Sequence, residues 1–196
     1  MDTYRTIASP GKAVFTEKRS RFLAFAFPVT TAEQALAAVA DLSREHYDAR
    51  HVCWAYMLGP DRLTFRANDN GEPSGTAGKP ILGQINSLEL TDVLVAVVRY
   101  FGGIKLGTPG LIAAYRQAAR EALEATEIVE RHRTETLTFT FPYMAMNDVM
   151  KVSRMGGVRV LATDFDNTCR MTLEVELDSL PAVQGRLTGI DGVTTD

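Results

Sequence analysis

Cysteine is nearly absent from this sequence: Cys53 and Cys169 stand alone among 196 residues. Two thiols far apart, at no metal-ligand spacing, exclude a disulfide framework and a zinc site and fit a reducing compartment. Long apolar runs are lacking too. The nearest approach, "KRSRFLAFAFPV", sets basic residues before an apolar stretch, but seventeen residues precede it and Pro28 closes it. It is too short to span a bilayer, so it reads as a strand, and the protein as cytoplasmic with no membrane partner. An excess of positive charge is also missing. Lys and Arg total 21 against 24 Asp and Glu, a formal net charge of -3. That excludes wholesale coating of nucleic acid by charge alone.

The charge is unevenly distributed. Residues 1–135 hold 16 basic and 16 acidic side chains, whereas residues 136–196 hold 5 and 8. The first part is neutral and can carry a local basic patch.

The chain length suits one larger and one smaller domain. Extended segments are expected at Lys12–Thr16 and Arg21–Phe27, then a helix capped by Thr30 or Thr31 through "AEQALAAVADLSREHY". "HVCWAYML" and "RLTFRA" flank Gly59-Pro60-Asp61 as a hairpin. "PILGQINS" reads as one or two helical turns. "DVLVAVVRY" is an unbroken β-branched run, as for a central strand covered on both faces. A helix follows, with Thr108 as N-cap and Pro109 at its first position, running to about Glu124. Charged "VERHRTET" ends this periodicity, and a boundary near residue 134 divides a first α/β domain, 1–134, from a second, 135–196. The second reads as strand, helix, strand, a turn at Asp166-Asn167, strand, helix and a short last strand, the βαββαβ order of a ferredoxin-like unit. The fold class is therefore α+β in two domains.

Two glycine-rich segments, "DNGEPSGTAGKP" and "RYFGGIKLGTPG", raise the question of phosphate binding. The Walker pattern fails, because Gly78-Lys79 is followed by Pro80 and the position five before Gly78 is Pro73. The dinucleotide fingerprint fails on the spacing of Gly102, Gly103 and Gly107. What remains is a strand ending in a glycine turn before a helix whose first amides are unsatisfied, a general anion site. Arg99 and Lys105 lie at that turn, and Arg116 and Arg120 share one face of the helix. On spacing alone the plainer reading stands ahead: Gly102 and Gly103 supply positive φ, and the arginines form a solvated face.

Asp69, Gly71 and Glu72 sit in an acidic turn that suits a metal or general-base role for Asp69 and Glu72, or more simply tight backbone geometry. His51 and Cys53 share a strand face, and a buried cysteine with a hydrogen-bonded histidine is favoured over a nucleophilic pair. Trp54, Tyr56, Tyr100 and Tyr115 are either base-stacking residues or core.

"KRSRFLA", "ARHVCWAY", "DNGEPSGTAGKPIL" and "VLVAVVRYFGGIKLGTPGL" together resemble the IMPACT/YigZ family over roughly residues 5 to 130. The resemblance implies a first βαβ domain like domain IV of elongation factor G, with a left-handed crossover, and a ferredoxin-like second domain. It implies translational regulation, through protein contacts in the eukaryotic branch and through RNA or ribosome-related partners in bacteria. The family's motif positions fall here on Lys18, Ser20, Arg21, Phe22, His51, Asp69, Gly71, Glu72, Pro73, Arg99, Tyr100, Phe101, Gly102, Gly103, Lys105 and Gly107. Two positions depart from the usual pattern. Asn70 replaces the second acid of the turn, weakening any metal reading, and Thr108-Pro109 replaces small residues.

The expected function is non-enzymatic binding of RNA, ribosomal or translation-associated, with no cofactor and no metal. Lys18, Arg21, Lys105, Arg116 and Arg99 would meet phosphates, beside Gly102, Gly103 and Gly107, and His51 a base. The alternatives are an enzyme or binder acting on a phosphorylated small molecule, with Asp69, Glu72 or His51 moving protons, and a protein-interaction module.

Overall fold

A computed structural model of the chain describes residues 2–166 and 168–196. It is a mixed α and β structure with two sheet-containing bodies. Residues 4–131 form one compact unit, and residues 132–196 with Asp2 and Thr3 form the other.

In the first unit the strands are β1 (Thr3–Ile7), β2 (Gly11–Glu17), β3 (Ser20–Pro28), β4 (His51–Leu58), β5 (Thr64–Asn68), β6 (Val93–Tyr100) and β7 (Ile128–His132). The helices are α1 (Ala32–Glu45), α2 (Gly78–Ser87) and α3 (Gly107–Glu124). Five strands make one sheet in the order β2-β3-β6-β4-β5, and every neighbouring pair is antiparallel. β1 and β7 form a separate two-stranded ribbon that the sequence reading did not contain.

The continuous hydrophobicity of β6 has its cause here. Val93, Val95 and Val97 pack with Ile81 and Ile85 of α2 and with Ala114, Ala118 and Ala122 of α3. Leu94, Ala96 and Val98 pack with Ala35 and Leu42 of α1 on the opposite face. Side chains alternate across a strand, so a central strand with helices on both faces has no solvated side left to carry polar residues.

Thr31 caps α1 by accepting from the Gln34 amide at 3.2 Å, with Glu33 in the first turn. α2 is ten residues long, more than the one or two turns expected, and begins ahead of Pro80. α3 begins at Gly107, two residues ahead of Pro109, and no side chain caps it. Thr108 is therefore not its N-cap, and its position in the first turn leaves it facing a cleft.

The second unit contains β8 (Thr134–Phe141), α4 (Met146–Ser153), β9 (Val158–Asp164), β10 (Cys169–Glu176), α5 (Leu180–Thr188) and β11 (Thr194–Thr195). Its sheet order is β11-β8-β10-β9, the βαββαβ order read from the sequence. The turn expected at Asp166-Asn167 falls on Asn167, outside the described residues. Among the described residues no helix is long and apolar enough to cross a membrane.

Candidate functional site

The site begins with a row of residues across the sheet. Strand register sets Phe22 of β3 beside Arg99 of β6, and Arg99 beside His51 of β4. All three fall on the α2–α3 face, because they alternate in phase with Ala24, Val97 and Cys53 of that core. Arg99 is only 7 % exposed, and its guanidinium lies 5.8 Å from the Phe22 ring and 5.5 Å from the Phe101 ring.

The segment 69–77 supplies the counter-charge. Its first residue, Asp69, accepts from the amides of Gly75 at 2.9 Å, Ala77 at 3.1 Å and Gly78 at 2.8 Å. Burial disfavours the Asp69 carboxylate, yet these amides outweigh it and hold the carboxyl below its usual range. Asn70 and Gly71 both take positive φ, which turns the chain back over β4. There the Asn70 carbonyl accepts from His51 Nδ1 at 2.7 Å, and the Asp69 carbonyl accepts from Cys53 Sγ at 2.9 Å. The turn is thereby clamped at both ends, with both Asp69 carboxylate oxygens accepting from backbone amides. Folding lowers its pKa, so its contribution is fully present above the unfolded value near 3.8 and disappears as pH falls through the lower folded value. The stability gap between wild type and Asp69→Asn, measured by urea denaturation, is expected to be constant from pH 5 to 7. It should shrink below pH 3.8.

This turn delivers Glu72 to the sheet. Its side chain is 3 % exposed, and Arg99 Nη1 donates to Oε1 at 2.6 Å. The buried Tyr115 hydroxyl of α3 donates to the same Oε1 at 2.7 Å. Burial, with Cys53 and Glu72 as neighbours, pushes the Tyr115 pKa far up, so the phenol remains a donor. Oε2 faces His51 Nε2 at 3.8 Å. Burial likewise raises the Cys53 thiol to about 12, which removes it as a thiolate nucleophile at neutral pH.

Over these buried groups opens a cleft of about 380 Å³, lined among others by Arg50, His51, Glu72, Arg99, Phe101 and Lys105. Glu72 neutralises Arg99, leaving Arg50 and Lys105 with no ion pair among the described residues. Arg50 sits 5.8 Å from the Phe101 ring, which is 41 % exposed. Gly107, at positive φ, and Thr108 start α3 at the rim, where the first amides lack a side-chain acceptor.

The structure does not bring all the expected cations here. Lys18 lies in the two-residue hairpin tip between β2 and β3 and lines a neighbouring groove with Phe15, Gly110 and Gln117. Arg21 alternates onto the α1 face beside Tyr100. Arg116 is exposed on α3 and does not line the cleft, and Arg120 pairs with Glu124 at 2.5 Å. Of the two paired glycines, Gly103 takes positive φ but Gly102 does not. Gly102 is needed for close approach, since a Cβ there would lie 2.1 Å from the Arg19 carbonyl carbon.

Arg50 and Phe101 were absent from the expected contacts, though each adjoins one that was named. The Glu72–Arg99–Tyr115 cluster joins three distant segments and leaves no local signal. Trp54 and Tyr56 stack on each other on the α1 face, so Phe101 is the aromatic ring that lines the cleft.

Fold and site define an α+β protein whose larger unit carries a small basic cleft over a buried carboxylate. The Impact N-terminal domain model matches residues 18–123, the part that builds this cleft. An IMPACT family member of Haemophilus influenzae is 34% identical over 179 residues, covering 89% of this chain and 87% of its own. IMPACT family member YvyE of Bacillus subtilis is 39% identical over 131 residues, covering 67% of this chain and 60% of its own, under two thirds of that relative's length. A solved structure described as that of a hypothetical protein covers 100% of this chain and 97% of its own at 28% identity, with a TM-score of 0.80. The chain belongs to the IMPACT family.

Proposed function

We propose that this protein binds RNA without acting on it chemically, in the setting of translation, and that the cleft grips the backbone of a single-stranded segment. The observation that supports this reading most directly is that two free cations, Arg50 and Lys105, line the same cleft as the exposed Phe101 ring. Cations that follow the phosphates, with an aromatic surface for a base, are the parts a single strand requires. With Lys18, Arg21 and Arg116 elsewhere, the grip is narrow and suits one or two phosphates rather than a duplex groove. The translational setting is taken from what the resemblance to the IMPACT family implies.

The reading is tested by titrating a labelled single-stranded RNA at several salt concentrations. Each phosphate neutralised contributes a slope of about -0.7 to the dependence of log K on log salt. Lys105→Ala is expected to reduce the slope by about that amount. Arg116→Ala, away from the cleft, should leave it unchanged. Absent or salt-independent binding would retire the proposal.

A second reading, binding of a phosphorylated small molecule, is favoured by the cleft volume, which lies within the usual range for ligand sites. A thermal-shift panel separates the two, because a small ligand then stabilises the fold at concentrations where an oligonucleotide does not.

A further inference from the structure

Glu72 spends only one of its oxygens on holding the protein together. Arg99 and Tyr115 both donate to Oε1, while Oε2 makes no hydrogen bond among the described residues and lies 3.8 Å from His51 Nε2, beyond hydrogen-bond reach. The tautomer of His51 follows from its other nitrogen. Nδ1 is 2.7 Å from the Asn70 carbonyl, which can only accept, so Nδ1 carries a proton and, in the neutral ring, Nε2 presents a lone pair. The cleft floor thus presents Oε2 as a free acceptor beside His51 Nε2, in a cleft whose other charged side chains are the cations Arg50, Arg99 and Lys105. A hydroxyl has one hydrogen and cannot donate to both, so it gives it to the charged carboxylate, its oxygen about 2.8 Å from Oε2.

Phosphate oxygens cannot do this, because they only accept and a carboxylate repels them. A hydroxyl adjacent to a phosphate can, and in a nucleic acid that group is the ribose 2′-hydroxyl, which DNA lacks. We propose that Glu72, with His51 beside it, is the specificity-determining residue that selects RNA over DNA by accepting a hydrogen bond from a 2′-hydroxyl. This rests on the RNA reading above and adds the sugar to it. The buried side chain is suited to the role because Arg99 and Tyr115 fix its orientation, so the free acceptor is held in place before the ligand arrives.

The same two donors dictate what an isosteric change does. In Glu72→Gln they require the amide oxygen at the Oε1 position, which turns the amide nitrogen toward His51 and replaces an acceptor by a donor.

The test compares three 3′-phosphorylated oligomers of one sequence, so that no terminal diol contributes: RNA, its 2′-deoxy form and its 2′-fluoro form, each titrated into the whole chain. The 2′-fluoro sugar can accept but not donate. RNA is expected to bind about tenfold to a hundredfold more tightly than either, the range for a hydrogen bond to a charged group. Glu72→Gln should bring RNA and the 2′-fluoro oligomer close together. Equal binding of RNA and DNA by the native protein, or of RNA and the 2′-fluoro form, overturns the inference and leaves the RNA-binding reading standing. So does a preference that survives in a folded Glu72→Gln. Binding of none of the three removes the underlying reading and the inference together. The comparison of oligomers on the native protein decides the matter even if the variant fails to fold.

Discussion

Replacement of Glu72 by alanine is expected to destabilise the first unit by about 3–5 kcal/mol, the range for breaking a buried ion pair from one side. Arg99 would be left 7 % exposed without its carboxylate, and the Tyr115 hydroxyl would be buried without its acceptor. The pair does not owe its presence to stability alone, because exchanging both partners for apolar residues of similar volume is often neutral. A Glu72→Met, Arg99→Met double variant should therefore recover most of the loss. Urea denaturation followed by Trp54 emission checks both, because Trp54 is 5 % exposed in the core of the same sheet and reports on the first unit by itself. A Glu72→Ala protein within about 1 kcal/mol of wild type would show that the Glu72–Arg99 pair is not closed in solution.

Gly102→Ala is expected to cost about 1–3 kcal/mol and to displace the β2–β3 hairpin tip. The added methyl would fall 2.1 Å from the Arg19 carbonyl carbon and 2.2 Å from its oxygen. Those atoms are backbone, held by Lys18 and Arg19 at φ 46° and 65°, and cannot step aside as a flexible side chain can. The Gly102 amide also donates to the Ser20 hydroxyl at 3.2 Å, so a shift there loosens the start of β3. Large changes in the amide resonances of Arg19 and Ser20 would accompany the loss of stability. At Gly103 no atom lies within 4 Å of the added methyl, and the cost is instead that of a φ of 90°. Gly103→Ala should therefore leave the hairpin resonances in place. The adjacent glycines of "YFGG" are thus required for different reasons, close approach and backbone angle.

This distinction shows where a sequence stops being readable. Thr31, the "DVLVAVVRY" run and the βαββαβ order of residues 134–195 were legible because each is a local rule: a cap, a period, an order of segments. The ribbon of β1 and β7 was not, because its strands lie more than a hundred residues apart and neither "TYRTI" nor "IVERH" carries a strong alternation. The same holds for the site. His51, Glu72, Arg99 and Lys105 could be named as chemistry-bearing residues, and Lys18, Arg21 and Arg116 looked equivalent to them in one dimension.

By itself the amino-acid order determined most of the strands and helices, though not β1 and β7, that β6 is covered on both faces, and which residue types are available for binding. Tertiary structure alone decided which of those residues meet. The phase of each strand sends Arg99 and His51 to one face and Arg21 to the other, and the turn of Asn70 and Gly71 lays Glu72 against Arg99 rather than in solvent. The physical reason is that propensity and periodicity act over a few residues, whereas an ion pair between positions 72 and 99 exists only after the chain has been brought together by the burial of its core.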